Sequence, residues 1–513
     1  MARTPLHFFD LPAEILILIL SSLNLATLAS CLATNRRVKS IIDGSALLQY
    51  RLAAQAACVE DNPWSTTTNS AHKLVALQQR QKYFTEFFRD SSSVRTIEMN
   101  WQDFNVHTYA LSGGIFAAAD VDSGVLRWFS LAAKEPVVQQ LELQGCIQEL
   151  TLAIPEEDLL VVVSTSRPLH QGAKSLKIHF YEMSTQSVHR LARKPVAKVS
   201  AIGSLGNFVS DTGVDVFGSR IALLVLYTDS ELPSRLLVYD WKQGRLLMDF
   251  LGRFSIARFL SLDVLVLVER ETGALELWTI QKTSSGDVAG HSRISLQLPQ
   301  LAKPGSKYIV LDAESNPKGS GSLSSQEPFQ SSFTDSILLF QVFILHGGGD
   351  QETQVLDMVV SRRALLQLLP SAEEHSRELS WKEWGPPVTR WLDRGSGSDI
   401  WPPITCGQRH ASTDPLTGRI RLLDFNPCTH RKLTRNAAGE ERTVCTVSGA
   451  ETHVVNRFSP GIFSEEITSQ LGCVVADSQP VYSGVLLDES WIVGIKDTMN
   501  VDGKVAFDVW HLE

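Results

Sequence analysis

The residues of this 513-residue chain best suited to chemistry are its thirteen histidines, seven cysteines and eleven tryptophans. His346, His410 and His430 lie within one stretch of the C-terminal third, where a β scaffold can bring three imidazoles to one metal or one proton-transfer site. Their spacing alone does not place them together, and no His-Glu-x-x-His pair supports them. The cysteines (31, 58, 146, 406, 428, 445 and 473) are odd in number and scattered, and none forms a Cys-x-x-Cys pair. They read as reduced thiols packed as small hydrophobes, as in the cytosol or nucleus, and not as a disulfide framework or a zinc site. Gly347-Gly348-Gly349-Asp350 follows an apolar run but lacks the Lys-Ser/Thr that a phosphate-cradling loop needs, so it reads as a hairpin turn. The Gly/Ser stretch near 320 sits in a polar loop, away from the strand-to-helix elbow that a serine nucleophile needs. Trp381, Trp384, Trp391 and Trp401 are dense enough to form either a packed core or a binding surface. No constellation for catalysis, a metal or a cofactor emerges, and the expected function is binding.

Composition narrows what is bound. Some 43% of residues are hydrophobic and 20% charged, the balance of a globular protein with ample core. The net charge of −9 argues against nucleic acid as the main partner, and no polybasic patch points to a membrane. Residues 15–33 carry no charge, which raises the question of a signal peptide or anchor. Ser21, Ser22, Asn24, Thr27 and Ser30 interrupt that run, and a two-helix reading explains the same residues better.

The elements that must position a binding surface fall into two textures. In the first 50 residues Asp10 is a suitable helix cap and Pro12 suits a first turn. Leu11, Ile15, Leu16, Ile19, Leu20 and Leu23 then make a broad apolar stripe. Leu25, Leu28 and Leu32 continue at helical spacing, and Val38, Ile41 and Ile42 begin a third apolar set. Three short helices bury little surface alone, so they need a partner or the rest of the chain to cover them. A polar run at Ser65–Ser70 leads to a helix from about 71 to 88, expected to fasten this module to the remainder of the chain.

The segment LPAEILILILSSLNLATLASCLATNRRVKSII resembles the F-box. The likeness is carried by Leu11, Pro12, Glu14, Ile15, Leu16, Ile19, Leu20, Leu23, Leu28, Leu32, Val38 and Ile41, with Leu25, Arg36 and Ile42. It implies a three-helix F-box over 6–50 whose residues dock a Skp-type adaptor and, through it, a cullin. The same helices could instead merely cap the rest of the protein.

From 94 onward short runs rich in Val, Ile, Leu and aromatics alternate with Gly, Asp, Ser and Pro, the texture of many strands. VLRWFSL (125–131), LKIHFYEM (176–183), RLLVYDWKQGRLL (235–247), ALELWTIQ (274–281), RIRLLDFNP (419–427) and KVAFDVWHL (504–512) share one form. Several follow a second apolar run such as LLVVVST (159–165) or IALLVLY (221–227). Strand pairs repeated about six times over 94–513 predict a β-propeller of six to eight blades, with a pair of β-sandwiches as the rival. In a closed ring the last strand would complete a blade begun near residue 100. Ser315–Ser332 and Arg394–Ser398 read as mobile insertions. YALSGGIFAAAD (109–120), WKEWGPPVTRWL (381–392), ITCGQRHASTDPLTGRIRLLDFNP (404–427) and VLLDESWIVGIKD (485–497) resemble the C-terminal region of a large group of F-box proteins from mushroom-forming fungi.

The fold class expected is thus mainly β with a small N-terminal α module and a linking segment at 51–93. The function expected is a substrate receptor of a cullin–RING ubiquitin ligase, cytoplasmic or nuclear, with an unidentified protein target. A scaffold that acts without any ligase is the alternative.

Overall fold

The computed structural model describes residues 8–512 except 87–93, 101–103, 105, 121–122, 168, 170–174, 201–208, 230, 283–287, 320–326, 347–352, 370–376, 395–403, 415, 437–444, 449–452, 455–460 and 497–503. After a 3-10 turn at Phe8–Asp10 come four helices: α1 (Ala13–Ser22), α2 (Leu25–Thr34), α3 (Arg36–Asp43) and α4 (Ala46–Ala56). Polar caps set their boundaries. Asn24 accepts from the amide of Thr27, Asn35 from those of Arg37 and Val38, and Ser45 from that of Leu48. Two expectations are corrected here. Pro12, not Asp10, precedes the first helical residue, because Asp10 is spent in the 3-10 turn. The third apolar set is two helices, because Gly44 ends one and Ser45 caps the next. The uncharged run 15–33 is likewise broken at Asn24, and among the described residues no helix is long and apolar enough to cross a membrane.

Leu20, Leu28, Val38, Ile42 and Leu48 form the core of this module. The helix α5 (Ser70–Glu86) lies against α4, where Leu77 packs on Tyr50 and on Phe329 of the β region.

The β region is a seven-bladed propeller. Each blade is built on four antiparallel strands, blade four adding a parallel fifth, and the first strands of blades one to five stand side by side along a central channel. The first strands are Val106–Ser112, Cys146–Ala153, Val209–Phe217, Phe254–Ser261, Lys307–Glu314, Ile404–Cys406 and Gly484–Leu487, for blades one to seven. Blade seven takes its outermost strand, Arg95–Asn100, from the other end of the propeller sequence, where it pairs with Lys504–His511. The ring is therefore closed by residues some 400 positions apart, as a blade begun near residue 100 requires. The rival pair of sandwiches is excluded by this pairing.

Apolar clusters fill the seams between neighbouring blades. That explains runs such as Leu159–Thr165, buried at every position: a second strand has a blade on either face. Trp381, Trp384 and Trp391 belong to this packing, with ring centroids 5.2 and 5.9 Å apart in the seam of blades four and five. The Trp384 indole donates to the Gln297 carbonyl at 2.8 Å. Trp401 lies outside the described residues. So does 347–352, although the flanking strands Ile337–Leu345 and Thr353–Ser361 pair as a hairpin.

Candidate functional site

Two places depart from ordinary packing, an exposed apolar face on the module and a polar cavity in the channel. On the module the twelve sequence-predicted docking residues, spread from Leu11 to Ile41 over α1, α2 and α3, divide. Leu16, Leu20, Leu28 and Val38 are buried, and Leu23, Leu32 and Ile41 are partly buried against that same core. Pro12, Glu14, Ile15 and Ile19 are exposed, with Leu11 half-buried at the helix entrance. Ile15, Leu18 and Ile19 fall at i, i+3 and i+4, so they share one face, and they are 42%, 62% and 36% exposed. Leu18 was absent from the predicted set. Its signal was the helical spacing from Ile15.

The opposite end of the module is tied to the propeller by the segment between the first two strands of blade five. That segment spans 315–336, and most of it, Ser315–Ser332, was expected to be mobile. Its described residues are instead held at several points, because their polar groups find partners on four other blades. Asn316 donates to the Thr405 carbonyl at 3.1 Å and accepts from the Gly407 amide at 3.0 Å. The Lys318 amide donates to Glu156 and its ammonium to Asp215, each at 2.8 Å. Phe329–Ser331 pairs as a short strand with Val59–Asp61, just after α4. Ser331 donates to Glu489 at 2.8 Å, and Arg80 of α5 meets the same carboxylate at 2.6 Å. Arg80 holds Glu489 well below the usual carboxylate range, at about 2, against the opposing effect of burial. The insertion thus crosses one mouth of the channel and is itself clasped by the module.

The channel behind it is a cavity of about 570 Å³. Asn316 and Lys318 form its floor, and Leu311 and Asp211 are exposed in its wall. In blades one to five the pairing of the first strand shifts register, between 106 and 108, 147 and 149, 209 and 211, 254 and 256, and 310 and 312. Such bulges re-aim side chains. Beside them stand Thr108, Glu149, Asp211, Ser255 and Asp312, all lining the cavity. Thr108 donates to Glu149 at 3.2 Å, and the Arg258 guanidinium donates to Asp312 at 2.8 Å. Burial pushes the Glu149 carboxyl up to about 7 and, with the repulsion of Asp312, the Glu314 carboxyl to about 8. Sequence reasoning missed this ring, because each strand's alternation is broken at its bulge.

The histidines do not gather. His410 faces Asp357 at 3.9 Å, and His430 lies against Gly472. Among the described residues no three His, Cys, Asp or Glu side chains form a metal-holding group.

Residues 8–53 match the family described as F-box-like. No curated protein matches the chain in sequence. Among solved structures the chain is similar to the WD40 domain of Toxoplasma gondii coronin, at 10% identity over 81% of this chain and 86% of that one, TM-score 0.36. The Neurospora crassa Pan2 WD40 domain shares 7% identity over 82% and 96%, TM-score 0.35. A virginiamycin B lyase from Staphylococcus aureus shares 12% over 81% and 99%, TM-score 0.33. The blade count rests on the strand pairing and not on these likenesses.

Proposed function

We propose that this protein is the substrate receptor of an SCF-type cullin–RING ubiquitin ligase, with its N-terminal F-box-like helices docking a Skp-type adaptor and its propeller holding the protein to be modified. The observation that carries the reading is α1. A ten-residue helix that keeps Ile15, Leu18 and Ile19 in water, while Leu16 and Leu20 satisfy the module's own core, has a second apolar face awaiting a partner. Pro12, Glu14 and Leu11 lie at the head of that face and extend the docking surface.

The module sits on the face that carries the turns between first and second strands, beyond the insertion of blade five. The opposite face is left for a target. In this arrangement the chain does no chemistry. It raises the effective concentration of a target lysine near the ubiquitin-charged enzyme. The likeness of 109–120, 381–392, 404–427 and 485–497 to F-box proteins of mushroom-forming fungi fits this reading and an intracellular site of action.

The test is co-purification of the full chain with a fungal Skp-type adaptor, beside an Ile15→Asp/Ile19→Asp variant. Capture by the native chain and its loss in a variant with unchanged thermal melting support the receptor. No capture of the native chain leaves the alternative, a scaffold whose helices only cap the propeller. Leu16→Ala is unsuited to this test, because Leu16 is 1% exposed and its loss disturbs the module itself.

A further inference from the structure

The channel is acidic and incompletely satisfied. Four carboxylates line it, those of Glu149, Asp211, Asp312 and Glu314, against the guanidinium of Arg258 and the ammonium of Lys318. Lys318 is engaged by Asp215, and Arg258 by Asp312. Glu149 and Glu314 are left without a cation of their own among the described residues, and one oxygen of Glu314 has no hydrogen-bond partner. Two further side chains are almost wholly buried in the same wall, each with one polar atom unpartnered: the hydroxyl of Thr212, 5% exposed, and the amide nitrogen of Gln341, 2% exposed. The hydroxyl of Ser255 is unpartnered beside them. Buried polar atoms are nearly always bonded, and each one left over costs stability unless something fills the site. The volume falls in the range of sites for small groups, roughly 300–1,000 Å³.

We propose that this channel receives the cationic side chain of a target polypeptide, an arginine or a lysine, entering from the face opposite the F-box-like module. The assignment rests on the receptor reading above and supplies its chemical specificity. A guanidinium or ammonium offers several donors to Glu149 and Glu314, while Thr212, Ser255 and Gln341 complete its coordination; a half-turn of the Gln341 amide presents either its oxygen or its nitrogen. A neutral side chain brings no charge to those carboxylates, and an acidic one is repelled by them. The charged and titratable groups facing Glu149 and Glu314 are Asp312, Arg258, Lys318 with Asp215, Tyr109 and, behind Tyr109, Arg394. An incoming cation favours the ionised carboxyls. Binding therefore releases protons, and affinity rises with pH across the window from about 7 to about 8 in which Glu149 and Glu314 titrate.

The test uses the full chain and end-blocked fluorescent pentapeptides Gly-Gly-X-Gly-Gly, where X is Arg, Lys, Gln or Glu, read by anisotropy. The Arg or Lys peptide is expected to bind at least tenfold more tightly than the Gln and Glu peptides, and at least threefold more tightly at pH 8.5 than at pH 6.5. Glu149→Gln with Glu314→Gln is expected to cost tenfold or more. Leu311→Trp, which narrows the channel without altering its charge, is expected to do the same if the double variant fails to fold. Equal binding of the neutral peptide, absence of basic-peptide binding at millimolar concentration, or unaltered binding by the variants would overturn the proposal. Binding of spermidine without binding of any basic peptide would also overturn it, since the cation would then be a small molecule. Adaptor capture in the same preparation separates these failures from failure of the receptor reading.

Discussion

The helix α1 and the first strands of the propeller invert the usual pattern in opposite directions. The helix turns Ile15, Leu18 and Ile19 outward, where a soluble helix would place polar residues. The strands turn Glu149, Asp312 and Glu314 inward, where a core would be apolar. Everywhere between them the ordinary rule holds: the seams between blades are filled with Leu, Val, Ile and Phe. Local departures from consistent patterning mark places under a demand other than folding. The module departs by leaving apolar surface uncovered, which suits a protein partner. The channel departs by burying charge, which suits a small, specific group.

The comparison is broken most directly on the helix. Burial of an isoleucine is worth roughly 1.5–3 kcal/mol, so Ile15→Asp/Ile19→Asp should weaken adaptor binding by about 3–6 kcal/mol without lowering the melting temperature. Surface plasmon resonance with calorimetry reads both quantities. Leu28→Ala, fully buried in the module, should do the reverse: it destabilises the module by about 2–5 kcal/mol, seen as early protease cleavage before residue 60, while propeller unfolding is unmoved.

A smaller effect lies where the two regions meet. The folded pKa of Glu489 is depressed to about 2, so the stability it contributes is present above the ordinary carboxylate range and is lost as pH falls from about 4.5 toward 2. That loss should be roughly 2–3 kcal/mol, and Arg80→Met should remove its pH dependence in acid unfolding curves. A further effect, in the channel, has the opposite sign. Burial raises Glu314 to about 8, so its contribution is intact below about 4.5 and is lost as pH rises from there through 8. Glu314→Gln should leave the melting temperature unchanged at pH 4 and raise it at pH 9.

How much of this was legible in the sequence depends on where each side chain points. Second and third strands, such as Leu159–Thr165 and Ser234–Asp240, are flanked by blades and read as apolar runs. First strands such as Val209–Phe217 face the channel on one side and carry bulges, so their period was lost. Blade five escaped recognition because its third strand, Thr353–Ser361, carries no aromatic. The F-box-like segment was plain from its leucines, but the division of its residues between core and surface was not. An amphipathic stripe says which residues are apolar and leaves open which side water keeps. The Ser-rich insertion misled for a related reason. Its composition is that of a loop, and its fixity comes from partners more than a hundred residues away, Glu156 and Asp215 before it and Glu489 after it.

The closure of the ring by Arg95–Asn100 against Lys504–His511 sets an order of events during synthesis. The first of these strands leaves the ribosome long before its mate, and at 5–20 residues per second the interval is roughly 20–80 s. Throughout that time the four N-terminal helices are already made and the propeller cannot close. The exposed face of α1 is thus made long before the channel is complete, and the arrival of Lys504–His511 sets the moment at which the ring can close.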